Sequence, residues 1–264
     1  MNGLFTTHNT SMEEIQMKKQ GLLASLGLAL LMVVIVGCGN DPTGTGESVG
    51  DSFFSTITKS PTYGQMYVHS MWTRQSGSAS YECGGQVFNN TDHDSLVSGG
   101  AMVVSGRSAD ERFPGSYLTM KVPLFGSVTT WSLSGNSSTG IPAVMDSMYV
   151  PSEIRILSPN VKTVSRSQDL TIQWNVDPNN DLVKIQVRDA TEPTGTPTGQ
   201  QYNWNLVVPD NGSYTVSSSV LSNIPTDGLA VVTLTRGESK TIGTTHKFHI
   251  YGYTSAADAY RLTQ

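Results

Sequence analysis

The chain has 264 residues, a formal net charge of -5 at pH 7 and charged side chains at only 14% of positions. Its 16 lysines and arginines gather into no basic stripe that would displace counterions from phosphate, which argues against a nucleic-acid partner. The slight excess of acid fits solubility better than a cation-binding surface.

The first ordered feature is Met17-Lys18-Lys19-Gln20, followed by an apolar run from Gly21 to Gly37 and then Cys38. Two lysines, an uncharged run of about 17 residues and a small residue before a cysteine read as a secretory signal. A membrane span would ask for about 20 apolar residues. Glu13 and Glu14 lie ahead of the positive region, so the expected true start is Met17. The tetrapeptide Ile35-Val36-Gly37-Cys38 resembles the lipobox of bacterial lipoprotein precursors. That resemblance implies lipid on the Cys38 sulfur, cleavage after Gly37, palmitate-type acylation of the new terminus and membrane attachment through that lipid. Gly39, standing where an Asp would retain such a protein, implies the outer membrane over the inner. Residues 1–37 are thus the expected signal peptide, and the Gly-rich, polar residues 38–50 are the expected lipidated, flexible tether.

The remaining chain, about 227 residues, suits two domains of about 100 residues each. It is rich in Ser, Thr, Gly, Asn and Val and poor in helix-forming runs, a composition of strands and turns. Two cysteines are present in all. With lipid on Cys38, Cys83 has no partner for an internal disulfide and reads as a buried small hydrophobe.

Residues 51–151 hold candidate strands at 53–58, 65–73, 86–88, 101–104, 117–122 and 128–133. In the second of these Met66, Val68, Ser70 and Trp72 share one face and Tyr67, His69, Met71 and Thr73 the other. Ser76-Gly77-Ser78, Cys83-Gly84-Gly85 and Pro114-Gly115 read as turns. The expected domain boundary lies near residues 150–153.

Residues 152–264 offer strands at 153–157, 170–174, 182–187, 202–208, 213–216, 229–235 and 246–253. Short strands at this density are the content of a sandwich. With Trp174 in an early strand, Val183, Ile185 and Val187 in the next and a corner at Val220-Leu221-Ser222-Asn223-Ile224-Pro225, this half resembles the immunoglobulin-like or fibronectin type III-like modules of bacterial surface proteins. The expected fold is therefore all-β, two tandem antiparallel β-sandwiches behind a signal peptide and tether.

Chemistry is harder to find. Thr91-Asp92-His93-Asp94 and Asp177-Pro178-Asn179-Asn180-Asp181 offer oxygen and nitrogen donors, but short polar runs between strands read as turns and lack the spacing of a zinc or EF-hand site. No Gly-rich stretch follows a strand and opens a helix to cradle a phosphate. The expectation is a non-catalytic module with no cofactor and no metal. Its partners would be an envelope protein or, alternatively, a polysaccharide contacted by Tyr202 and Trp204, which share a strand face. Loops 89–94, 134–140 and 190–200 are the expected binding loops.

Overall fold

In the computed structural model, residues 62–91, 93–119, 124–191 and 202–264 are described. They form fifteen strands and one short helix. The expected signal segment, Cys38, the expected tether and the expected strand at 53–58 lie outside the described residues.

The first seven strands are β1 (Gly64–Thr73), β2 (Ser78–Val87), β3 (Met102–Val104), β4 (Arg107–Phe113), β5 (Ser116–Thr119), β6 (Ser127–Leu133) and β7 (Val144–Val150). Next come β8 (Ile156–Ser158), β9 (Thr163–Ser165), β10 (Leu170–Trp174), β11 (Leu182–Asp189), β12 (Asn203–Pro209) and β13 (Ser213–Val216). The helix α1 (Ser218–Leu221) precedes β14 (Leu229–Ile242) and β15 (Phe248–Thr263).

One sheet of 12 strands runs β12-β11-β14-β15-β1-β2-β5-β4-β3-β6-β7, with β9 added to β15, and a second sheet of 3 strands runs β13-β10-β8. Pairing is antiparallel except for β1 and β9, which both run parallel to β15. The expectation of purely antiparallel sheets is corrected at these two pairs. The reason is topological: each is joined to β15 by a long crossover, which a parallel pair needs and a hairpin cannot supply.

The second half packs β8, β10 and β13 against β12, β11, β14 and β15. Between the layers lie Ile156, Ile172, Trp174, Val183, Ile185, Val187, Val232, Leu234 and Tyr260, all within one cluster of buried residues. Each alternates along its strand with an outward neighbour, as a sheet buried on one face requires. Two sheets paired in this order, with β8 on β10 in the short sheet and β9 on β15 in the long one, make an immunoglobulin-like sandwich.

The first half is one sheet rolled upon itself. Its core joins Met66, Val68, Val87, Met102, Trp131, Leu133 and Val150 to Ile242, Phe248 and Ile250 of the last two strands. Roughly 1.5–3 kcal/mol accompanies each fully buried aliphatic or aromatic side chain. Gly252 allows β7 to fold back over β15, since a Cβ there would lie 2.6 Å from Val150 Cγ2. Lys240 and Asp146 close the roll with an ion pair at 2.7 Å.

The domain boundary expected near residue 151 would lie between Val150 of one buried cluster and Ile154 of the other. The sheet itself runs on across it, and the β14–β15 hairpin supplies both cores from a single face. At that seam sits Arg236, fully buried, as is its partner Asp210 at 2.8 Å. Its guanidinium donates to Ser152 O at 3.0 Å, Ser152 Oγ at 3.0 Å, Glu153 O at 3.1 Å and Asn175 O at 2.9 Å. Asp210 in turn accepts Trp174 Nε1 at 2.7 Å and Asn180 Nδ2 at 3.0 Å. All five guanidinium donors are engaged, so the buried charge is hydrogen-bonded throughout as well as paired.

Other differences from the sequence reading have plain causes. Cys83-Gly84-Gly85 lies inside β2 and makes no turn: a Cβ on Gly84 would lie 2.3 Å from Tyr117 O and one on Gly85 2.5 Å from Gln65 O. These glycines serve close strand approach, a use that looks like a turn in sequence. The strand β4 escapes sequence reading because it is polar, with only Ala109 buried. The expected corner at residues 220–225 begins as α1, with Val220 and Leu221 buried.

Candidate functional site

Strand alternation divides β1 cleanly. Met66, Val68 and Ser70 enter the core at 0%, 2% and 1% exposure, so Gln65, Tyr67, His69 and Met71 occupy the opposite face. The parallel register sets Gln65 beside His249, Tyr67 beside Tyr251 and His69 beside Tyr253. On the other flank β2 sets Gln86, Gly84 and Glu82 beside Gln65, Tyr67 and His69. Three strands thereby assemble a ladder of rings and polar groups from residues far apart in sequence.

Tyr67 stacks on Tyr251 with centroids 5.6 Å apart and planes 17° apart, and on His69 at 5.8 Å and 13°. His69 stacks on Tyr253 at 5.1 Å, Tyr251 on Tyr253 at 6.1 Å, and His249 tilts onto Tyr251 at 5.9 Å. Such contacts contribute about 0.5–1.5 kcal/mol per pair beyond burial. Gly84, directly across from Tyr67, leaves room for the ring: a Cβ there would come within 3.3 Å of the phenol oxygen. Tyr67 donates to Glu82 Oε1 at 2.6 Å, and His69 Nε2 lies 4.0 Å from Glu82 Oε2. Gln65 donates to Gln86 at 3.0 Å.

Burial dominates the electrostatics here. It pushes the His69 imidazole below its ordinary value, with Glu82 opposing, and it lowers His249 as well. Burial also raises the phenols of Tyr67, Tyr251 and Tyr253, with Glu82 adding to each. Both shifts favour neutral imidazoles and protonated phenols at neutral pH. His249 Nε2 is buried without a hydrogen-bond partner, and its Nδ1 lies 3.4 Å from Thr241 Oγ1.

Several other chemistry-bearing groups among the described residues serve contacts within the fold. His93 stacks on Phe88 at 4.2 Å and its Nε2 lies 2.8 Å from Thr62 O; Asn90 Nδ2 donates to Asp94 at 2.8 Å. Asp177 accepts Ser152 N at 2.6 Å, Asn179 N at 3.0 Å and the Tyr149 hydroxyl at 3.0 Å, and these hydrogen bonds hold its carboxyl below the usual range although burial pushes the other way. Among the described residues no three His, Cys, Asp or Glu side chains converge as metal ligands. Cys83 is buried, and burial pushes its thiol up to about 12.

Tyr202 and Trp204, the expected sugar contacts, both pack half-buried against the sandwich core. Trp204 stacks on Tyr214 at 6.3 Å, and burial raises the Tyr202 phenol. Of the expected binding loops, residues 134–140 are described in full. That loop is tied by Ser138 N to Asn136 Oδ1 at 3.0 Å and Thr139 Oγ1 to Ser98 O at 2.8 Å. Asp92 and residues 192–200 lie outside the described residues. Sequence reasoning does not find the ladder as a site, although it puts Tyr67 and His69 on one face. The missing information is the partner strand.

No family model matches the sequence, and no curated protein matches it. Among solved structures it is similar to the chicken CNTN1 FN1-FN3 domains, at 10% identity and a TM-score of 0.25, over 74% of this chain and 63% of that one. The immunoglobulin-like character of the second half rests on its own strand pairing.

Proposed function

We propose that the protein is a lipid-anchored, non-catalytic module of the bacterial cell envelope, attached through Cys38 and held at the outer membrane by a tether of residues 38–50. The observation that carries the anchor is the run Lys18-Lys19, apolar block and Ile35-Val36-Gly37-Cys38. Two or more acyl chains make such attachment stable where one would be marginal. The non-catalytic reading is supported by the polar groups named above: the carboxylates of Glu82, Asp177 and Asp210 and the ring of His93 each serve a contact within the fold.

The module would act through contacts with another envelope protein or as a structural spacer, its strands presenting the loops that make those contacts. A second reading, polysaccharide binding at Tyr202 and Trp204, is favoured by one observation: both rings are only half-buried, so part of each remains available for a sugar.

Metabolic labelling with radioactive palmitate tests the anchor. Label entering the wild type and lost in Cys38→Ala, with the protein released from the membrane fraction, is the expected result; an unlabelled wild type with an uncleaved amino terminus overturns it. A glycan array tests the second reading, which requires binding that disappears in Trp204→Ala.

A further inference from the structure

The first described strand and the last strand are parallel neighbours, and neither is an edge of the sheet. β1 is paired along Gly64–Thr73 with β15 on one side and β2 on the other. β15 is bordered by β1 and by β14, with β9 continuing beyond β1 at its upper end. We propose that the β1–β15 pair is a shear clamp, by which this unit carries tension between its amino-terminal side and its carboxy-terminal end.

The reasoning is geometric. A pull on the chain ahead of Thr62, opposed by a pull at Gln264, draws two parallel strands past each other along their length. Parallel ladder bonds are evenly spaced and slanted, so the load falls on all of them together. Peeling, which breaks one bond at a time, does not arise under this pull, because the two loaded ends lie at opposite ends of the pair.

Side chains reinforce the same pair. Ser70 donates to Thr254 at 2.8 Å inside the core, Tyr67 and His69 stack across to Tyr251 and Tyr253, and Arg74, just beyond β1, pairs with Asp258 of β15 at 2.9 Å. A slip of one residue would turn every core side chain of β1 outward, so the register has no near alternative to slide into. Forced unfolding follows the unfolding rate, and a shear clamp acts on that rate. The clamp deepens the function proposed above and rests on it for its use in the envelope, where the tether would deliver the pull. Its mechanics need no lipid.

Single-molecule pulling of the full, unlipidated chain tests it in two geometries. Handles at Cys38 and Gln264→Cys load the pair in shear. Handles at Cys38 and Thr244→Cys, in the exposed turn between β14 and β15, load it from one end, because Tyr63 N donates to Lys247 O at 2.7 Å beside that turn. There the ladder opens pair by pair from Gly64 and Phe248. The buried Cys83 thiol, pushed up to about 12, does not compete for the handles. The expected unfolding force is at least about twofold higher in the first geometry at the same loading rate. Equal or lower force in the first geometry overturns the clamp. A twofold ratio together with failed palmitate labelling would remove the tether and leave the clamp standing.

Discussion

The two halves of the described chain reach a buried core by different routes. The second half faces a three-stranded sheet against four strands of the long sheet, and Ile, Val and Leu dominate its core. The first half has no second sheet. It rolls a single one, and its core carries Met66, Met102 and Cys83 beside Trp131 and Phe248. A sandwich meets its partner layer over regular alternating faces, whereas a roll needs glycines where strands cross closely and adaptable side chains where the curvature leaves irregular gaps. Both depend on one hairpin, β14–β15, so the comparison is between two cores on a shared face.

The largest expected effect is at the seam. Arg236→Ala leaves Asp210 buried and unpaired and strips partners from the carbonyls of Ser152, Glu153 and Asn175, so it should cost about 3–5 kcal/mol. Urea unfolding followed by both tryptophan fluorescence and far-ultraviolet circular dichroism checks this. In the wild type the shared hairpin should give one coincident transition; two separated transitions would mean that the cores are independent.

Core truncation comes next and sharpens the contrast directly. Ile172→Ala in the sandwich should cost about 2–5 kcal/mol, and Met102→Ala in the roll should fall toward the lower end of that range because a flexible, irregular site collapses more readily. Urea midpoints of the two variants give the comparison, and a larger loss for Met102→Ala would reverse the account of the roll.

Acid should weaken the ladder. His69 and His249 have folded values below the ordinary 6.5, so the unfolded chain binds protons first. Stability is then full above pH 6.5 and falls as pH drops below it toward the folded values. The urea midpoint should decline on going from pH 8 to pH 5.5, and the decline should shrink in His69→Gln/His249→Gln.

The smallest expected effect is that of Tyr67→Phe, which removes the phenol donor to Glu82 and keeps the ring stack, at about 1–2 kcal/mol. A loss near zero would mean that water replaces the phenol at the carboxylate.

Much of this fold is legible in the amino-acid sequence. Alternation places β1, β6, β10, β11 and β13 within a few residues, because a strand with one buried face must alternate and Gly, Asn and Asp must turn it. Where alternation fails, so does the reading: β4 has almost no buried face, and Gly84 and Gly85 look like a turn until Tyr117 O and Gln65 O are seen beside them. The second half of β15, with Ala256, Asp258, Tyr260 and Leu262 inward, escapes the same reading because Ser255, Ala257 and Ala259 blur the pattern.

Of the candidate ladder, the sequence shows only that Tyr67 and His69 share a face. A period of two assigns a side chain to a side of its strand, and it says nothing about which strand lies next to it. Composition and alternation therefore determined that this chain is built of strands and where most of them lie, and the lipobox-like tetrapeptide at residues 35–38 supplies only an expected address. The pairing of β1 with β15, the burial of Arg236 between two cores and the assembly of the tyrosine–histidine ladder were decided only in three dimensions, because each depends on segments distant along the chain meeting in one register.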